Sequence, residues 1–293
     1  MTTDHPGRIL ITGATGFIGG RLARALADDG WSVRATGRDA RKLADLDHEG
    51  CEAAPCDLRD AGSVARICDG IDVVCHAGAY SSPWGSREDF LETNVQGTRN
   101  LLEACRRCGV RRCIYLSSPS VTSGDGDIEN EDETAVPPRR AISAYSHSKR
   151  LAEDEVVKVS QSSLETVVLR PKAVFGPGDT AILPRLLRAA SQNRLRQIGS
   201  GNNLVDLTHV DNVVHAIRLA MERRGVQGRV FLITNDEHPS LWQVVRRVCR
   251  ELGHNDQFGS MPYTVALTAA TMMETRASIL GGEPMLTRNT VKM

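Results

Sequence analysis

Over the first 175 residues, short runs of β-branched and aliphatic side chains alternate with longer stretches whose apolar positions recur at helical spacing. Runs at 8–12, 32–36, 52–56, 72–76, 113–117 and 166–170 predict strands, and amphipathic stretches such as 18–29 and 92–108 predict helices between them. Ile9-Leu10-Ile11 and Val73-Val74 show no polar alternation, as a sheet covered on both faces requires. The expected fold class is therefore α/β, with a doubly wound parallel sheet. After Arg170 the rhythm changes. Pro171, Gly176, Pro177 and Gly178 punctuate a loop. Helical patterns follow at 181–192, 210–223 and 239–252, with a strand at 230–233 and a mixed tail that holds a helix-like run at 265–279.

The first predicted strand leads into Gly13-Ala14-Thr15-Gly16-Phe17-Ile18-Gly19 and then a helix. Glycine at 13 permits a tight turn, a bare backbone at 16 lets a pyrophosphate approach, and one at 19 lets the helix pack against the sheet. The helix start adds free N–H groups and partial positive charge. The sheet is thus expected to be Rossmann-type, with Gly13, Thr15, Gly16, Phe17 and Ile18 holding a dinucleotide. Residues 1–178, rejoined by 207–235, would form the dinucleotide-binding domain, and 179–206 with 236–293 a smaller C-terminal substrate-binding cap.

The end of the second strand bears on which dinucleotide. A carboxylate there would bind a ribose 2′-hydroxyl, but the chain reads Gly37-Arg38. The glycine leaves room, and a guanidinium suits a 2′-phosphate, with Arg41 and Lys42 adding charge nearby. NADP(H) is expected over NAD(H); the plainer reading of Arg38 is a solvated surface arginine. Asp57-Leu58 follows the third strand, and Asp57 either reaches the adenine edge or caps a helix. Ala77-Gly78 ends the fourth strand with small residues across which a flat cofactor fits. His76 reads as a packed, hydrogen-bonded histidine rather than a catalyst.

Tyr145-Ser146-His147-Ser148-Lys149 places a phenol and an ammonium on one helical face. An ammonium close to a phenol is expected to lower its pKa. Ser118 ends the fifth strand, on the sheet edge that carries the glycine turn, where its hydroxyl can hold a substrate oxygen.

Lys+Arg and Asp+Glu each number 36, which leaves no excess charge for a nucleic-acid backbone. No apolar run is long enough for a membrane span, and the first residues lack a signal-peptide pattern, so a cytoplasmic location is expected. The eight cysteines are scattered and expected to be reduced. Cys105 and Cys108 lie in a helical run with no second pair and read as free thiols, so no metal is expected.

On these motifs, together with Asn94-Val95-Gln96-Gly97-Thr98, Ser117-Ser118 and Leu169-Arg170-Pro171, residues 7–255 resemble an extended short-chain dehydrogenase/reductase. That branch also contains nucleotide-sugar epimerases. Val174-Phe175-Gly176-Pro177-Gly178-Asp179 and Thr208-His209-Val210-Asp211-Asn212 resemble its 3β-hydroxysteroid and sterol-4-carboxylate dehydrogenases. Trp84-Gly85 and Leu183-Pro184-Arg185-Leu186 extend the likeness to bacterial 2-alkyl-3-oxoalkanoate reductases. The resemblance implies catalytic roles for Ser118, Tyr145 and Lys149, with Lys149 also on the nicotinamide ribose and Pro171 to Val174 beside the nicotinamide. It implies substrate contacts at Tyr80, Trp84 and Ser118, and an ordering role for Asn94, otherwise a helix-cap residue. Many relatives pair through a four-helix interface, here 92–108 and 145–160, and most run a few dozen residues further, closing the cap.

Three functions compete. The first is an NADP-dependent interconversion of ketone and secondary alcohol on a 3-oxo or 3-hydroxy acid, or a related compound, with an apolar chain. The run at 265–279 reads as cap core, with a pocket wall as the alternative. The second is an NAD-retaining nucleotide-sugar epimerase, disfavoured by Gly37-Arg38; a dehydratase would need an acidic pair where Pro119-Ser120 stands. The third is a non-catalytic dinucleotide sensor, disfavoured because both Tyr145 and Lys149 are present.

Overall fold

The computed structural model describes residues 7–82, 84–124, 126–160, 164–180 and 183–292. The N-terminal six residues, read above for a signal peptide, and the first two residues of the helix expected at 181–192 lie outside the described residues. The Rossmann half runs β1 (Arg8–Thr12), α1 (Phe17–Asp28), β2 (Ser32–Thr36), α2 (Ala40–His48), β3 (Glu52–Ala53), α3 (Ala61–Cys68), β4 (Val73–His76), α4 (Arg87–Phe90), α5 (Gly97–Arg107), β5 (Arg112–Leu116), α6 (Ala144–Val159) and β6 (Glu165–Pro171). The remainder runs β7 (Val174–Phe175), α7 (Leu183–Ser191), β8 (Arg196–Ile198), β9 (Thr208–His209), α8 (Val210–Glu222), β10 (Val230–Ile233), α9 (Leu241–Glu251), β11 (Gly259–Met261), α10 (Tyr263–Leu280) and α11 (Arg288–Lys292).

Seven strands form one parallel sheet in the order β10-β6-β5-β4-β1-β2-β3. Side chains alternate across a strand, so Ile9 and Ile11 join one core layer while Leu10 joins the other. The first layer is covered by Leu22 and Leu26 of α1, Leu43 and Leu46 of α2 and Val213 and Ile217 of α8. The second is covered by Val64 of α3, Leu101 of α5 and Val156 of α6. The order reverses between β1 and β4, which opens a crevice at the strands' carboxyl ends.

Three expectations need revision. The strand expected at 52–56 stops at Ala53, because Pro55 has no N–H to give the ladder; Ala54 and Cys56 still donate to Ala35 O and Gly37 O. The helix expected at 92–108 follows directly on α4 and is a π-helical stretch, Leu91–Gln96, continued by α5; its wide turns carry Asn94 and Val95 inward. The apolar run in α10 is neither solid core nor an enclosed pocket wall. It buries Ala266, Ala270 and Ala277 and turns its larger side chains outward. Trp242 and Val245 of α9 pack with Ala190 of α7 in a separate small cluster. Among the described residues, no helix is long and apolar enough to cross a membrane.

Candidate active site

The glycine turn is built as its spacing requires. Gly13 has φ +69°, and a Cβ there would lie 2.7 Å from the Gly78 backbone. A Cβ on Gly19 would fall 2.4 Å from Gly13 O, so the α1–β1 approach needs glycine at that position. A Cβ on Gly16 would meet only Gly13 O, at 3.2 Å, so beyond its own turn this residue borders open space. Gly16 is the N-cap of α1 with no side-chain cap, and the first turn holds no acid. The positive end of α1 is therefore left for an anion, and Gly16, Phe17 and Ile18 suit a cofactor pyrophosphate.

Gly37 makes room for the protein itself rather than for a ligand. A Cβ there would strike the Thr15 side chain at 2.5 Å. Arg38 and Arg41 are exposed, and Lys42 Nζ donates to Thr15 O at 3.4 Å, which draws positive charge toward the turn. The helix-cap alternative for Asp57 is not realised, because Asp60 caps α3, accepting from the N–H groups of Gly62 and Ser63. Asp57 is held by Arg59, with Nη2 2.6 Å from Oδ2. That hydrogen bond holds its carboxyl below the usual range, and the nearby Arg38 guanidinium adds to the effect. Leu58 sits 3.0 Å from where a Gly78 Cβ would be, and Gly78 N–H donates to Thr12 Oγ1. Small residues at Ala77 and Gly78 thus serve close backbone packing as well as access.

His76 is buried, with Nδ1 2.7 Å from Thr12 Oγ1 and Nε2 2.9 Å from Thr98 Oγ1. Burial, helped by the Lys149 charge, pushes its pKa from 6.5 to about 3, so it stays neutral. This is the packed histidine expected from the sequence.

Ser118 leaves β5 and caps a single 3-10 turn, Pro119–Val121. Its Oγ accepts from Ser120 N–H at 3.2 Å and lies 2.9 Å from Ser120 Oγ, and Ser118 is near enough to the Tyr145 phenol to draw its pKa down. Helix α6 starts at a capping box between Ser143 and Ser146, which fixes Tyr145 in the first turn and Lys149 in the next. Lys149 is buried, with Nζ donating to Leu116 O at 2.7 Å and lying 4.1 Å from the centre of the Tyr115 ring. Burial pushes its pKa down to about 7, and the Glu153 carboxylate pulls it back up. The expected lowering of the Tyr145 pKa by Lys149 is not what the geometry gives. The ammonium is spent on the Leu116 carbonyl, burial raises the phenol pKa, and the opposing pull comes from Ser118.

Asn94 has the ordering role that the resemblance implies, while Glu153 escapes the sequence reading. Asn94 is no helix cap; it lies inside the π-helical stretch, accepts from Tyr80 N–H at 2.7 Å and donates to Tyr80 O and to Ser148 Oγ beside Lys149. Glu153, one turn beyond Lys149, is buried against Arg170 of β6 and accepts from Ser117 Oγ of the β5 end. Tyr145, Lys149 and Glu153 fall at i, i+4 and i+8, a spacing that marked one face of α6 in advance. The Phe90 ring stands 6.3 Å from Tyr145 and 4.7 Å from Tyr80, whose hydroxyl donates to Trp84 O. This links both expected substrate residues to the tyrosine. Pro171 ends β6 and Val174 begins β7. All eight cysteines are free thiols, and among the described residues no cluster of His, Cys, Asp and Glu is placed to hold a metal.

Residues 9–234 match the family model described as NAD dependent epimerase/dehydratase family. The chain is 35% identical to a 2-alkyl-3-oxoalkanoate reductase of Stenotrophomonas maltophilia (strain K279a), over 96% of this chain and 87% of that one. It is 34% identical to a decarboxylating sterol-4-alpha-carboxylate 3-dehydrogenase of Saccharomyces cerevisiae, over 97% and 87% of the two chains. Among solved structures it is similar to MoeE5 in complex with UDP-glucose and NAD, with TM-score 0.75, 29% identity and coverage of 87% and 85%. A phosphate-ready helix start, a serine beside a tyrosine, and a buried lysine all lie on one strand-end edge. With these matches they place the chain in the NAD dependent epimerase/dehydratase family, as an NAD(P)-dependent oxidoreductase acting on CH–OH groups.

Proposed function

We propose that the protein interconverts a ketone and a secondary alcohol, prefers NADP(H), and acts on a 3-oxo or 3-hydroxy acid with an apolar chain. The observation that carries this reading is Ser118 at the end of β5 beside the Tyr145 phenol of α6, with buried Lys149 one turn further on. When bound, the nicotinamide supplies or accepts the hydride. The raised phenol pKa keeps Tyr145 protonated near neutral pH, ready to give its proton to a carbonyl oxygen as that oxygen gains charge. Ser118 donates a second hydrogen bond to the same oxygen. Lys149 places a positive charge behind the pair, and Glu153 favours the charged form of that lysine. The preference for NADP(H) rests on the exposed Arg38, with Lys42 close to the turn, at a strand end that lacks a carboxylate. The substrate class rests on the two relatives named above, with Tyr80, Trp84 and the C-terminal cap on the substrate side. A nucleotide-sugar reaction is the second reading, favoured by the likeness to MoeE5 with UDP-glucose and NAD.

Titration with NADPH and NADH, followed by a 3-oxo acid panel read at the nicotinamide absorbance and a UDP-sugar panel read by analysis of the product sugar, tests both. The expected result is tighter NADPH binding, reversed in Arg38→Asp, with oxidation of NADPH only by the 3-oxo acids. Unchanged NADPH affinity in Arg38→Asp overturns the 2′-phosphate assignment. Turnover of UDP-sugars alone selects the second reading.

A further inference from the structure

We propose that Ser120 is a positioning residue for Ser118: its N–H and its hydroxyl both donate to Ser118 Oγ, so the single Ser118 proton is aimed at the reacting oxygen. The inference rests on the reading that Ser118 and Tyr145 act on a substrate oxygen.

A serine hydroxyl offers one proton and two acceptor sites. One acceptor site of Ser118 is filled by Ser120 N–H at 3.2 Å. Pro119 has no N–H, so Ser120 carries the first donor that this cap can meet. The Ser120 hydroxyl lies 2.9 Å from the same oxygen. Other donors of the turn are already used: Val121 N–H goes to Ser118 O, and the N–H and hydroxyl of Thr122 go to Pro119 O. Among the described residues, Ser120 Oγ has no other hydrogen-bond partner. With Ser120 as donor, both acceptor sites of Ser118 are taken, and its proton is left for the Tyr145 oxygen or a substrate oxygen. With the roles reversed, Ser118 would spend its proton on Ser120 and contribute nothing to the carbonyl. The two arrangements predict opposite effects of removing one hydroxyl.

Ser120→Ala keeps the backbone N–H and hence the cap. The expected kcat for a 3-oxo acid falls about fivefold, in keeping with the loss of one neutral hydrogen bond. KM, NADPH affinity and the melting temperature stay as in the wild type. Ser120→Thr, which keeps the hydroxyl, restores kcat; a purely structural role would move the melting temperature instead. A second readout needs no turnover. The Tyr145 phenol is titrated by NMR in protein carrying 13C-labelled tyrosine, for wild type, Ser120→Ala and Ser118→Ala. Tyr115 on β5, Lys149 and Glu153 on α6, His76 on β4 and Arg170 on β6 are the same in all three, so a shift reports the serine pair. The expected Ser120→Ala midpoint moves up from wild type toward that of Ser118→Ala. An unchanged or lower midpoint, or a faster enzyme, overturns the proposal. If no ketone is reduced by the wild type, the functional reading fails, while the titration still decides the serine arrangement.

Discussion

β1 and α10 are both poor in charge, yet they end in opposite surroundings. Ile9, Leu10 and Ile11 are 0% exposed, whereas Met272, Ile279 and Leu280 of α10 are 68%, 75% and 72% exposed. The difference lies in what covers each element. β1 is paired with β2 and β4 and has a core layer on each face. α10 makes its buried contacts through Ala266 and Ala270, against Val291, Ile198 and Leu286. Apolar content therefore tells where burial is possible, and strand order and helix crossovers decide where it happens. The same two-sided cover buries the Glu153–Arg170 pair in the sheet region.

The sharpest tests of that contrast are the buried charges. Glu153→Gln leaves Arg170 buried and unpaired, and it should cost about 3–5 kcal/mol in chemical denaturation. The exposed Glu103–Arg107 pair is the control, and Glu103→Gln should cost no more than about 0.5 kcal/mol. Equal costs would mean that the sheet region is no drier than the surface. Next in size is Leu22→Ala under α1, expected to cost about 2–5 kcal/mol.

A third test uses pH. The folded pKa of His76, about 3, lies below its ordinary 6.5, so the unfolded chain binds the extra proton first. Its contribution is intact above 6.5 and is lost as pH falls toward 3, at about 1.4 kcal/mol per pH unit. His76→Gln should flatten the acid limb of a stability–pH curve by one proton; an unchanged slope would assign that limb to other groups. Lys149 has the same sign, since its pKa is also lowered, and it costs stability as pH falls from 10.5 to about 7. The smallest effect belongs to Ile279→Ser, within about 0.5 kcal/mol of wild type. A loss matching Leu22→Ala would show that the α10 face is covered in solution.

The parts of the site that were legible in the sequence are those set by local rules. Gly13 and Gly19 follow from one turn, and Tyr145 and Lys149 from one helical face. What escaped depends on distant partners. Glu153 sits among Lys149, Arg150, Asp154 and Glu155 and reads as a solvated charge, until Arg170 and Ser117 arrive from two strands to bury it. For Asn94 the resemblance implies an ordering role, but its partners Tyr80 and Ser148 come only with the π-helical turn that aims it inward. Gly37 reads as space for a cofactor because the Thr15 side chain that fills it lies a strand away. The direction of the Tyr145 pKa is not legible for a related reason, since spacing places an ammonium nearby without saying which acceptor it chooses.

Everything chemical rests on Tyr145 as the group that moves a proton beside Ser118 and Lys149. The most direct measurement is single-turnover oxidation of NADPH by a 3-oxo acid, comparing wild type with Tyr145→Phe. The predicted result is a rate lower by about 10²–10⁴-fold with NADPH affinity unchanged. A phenylalanine variant that reacts within about twofold of wild type would contradict it.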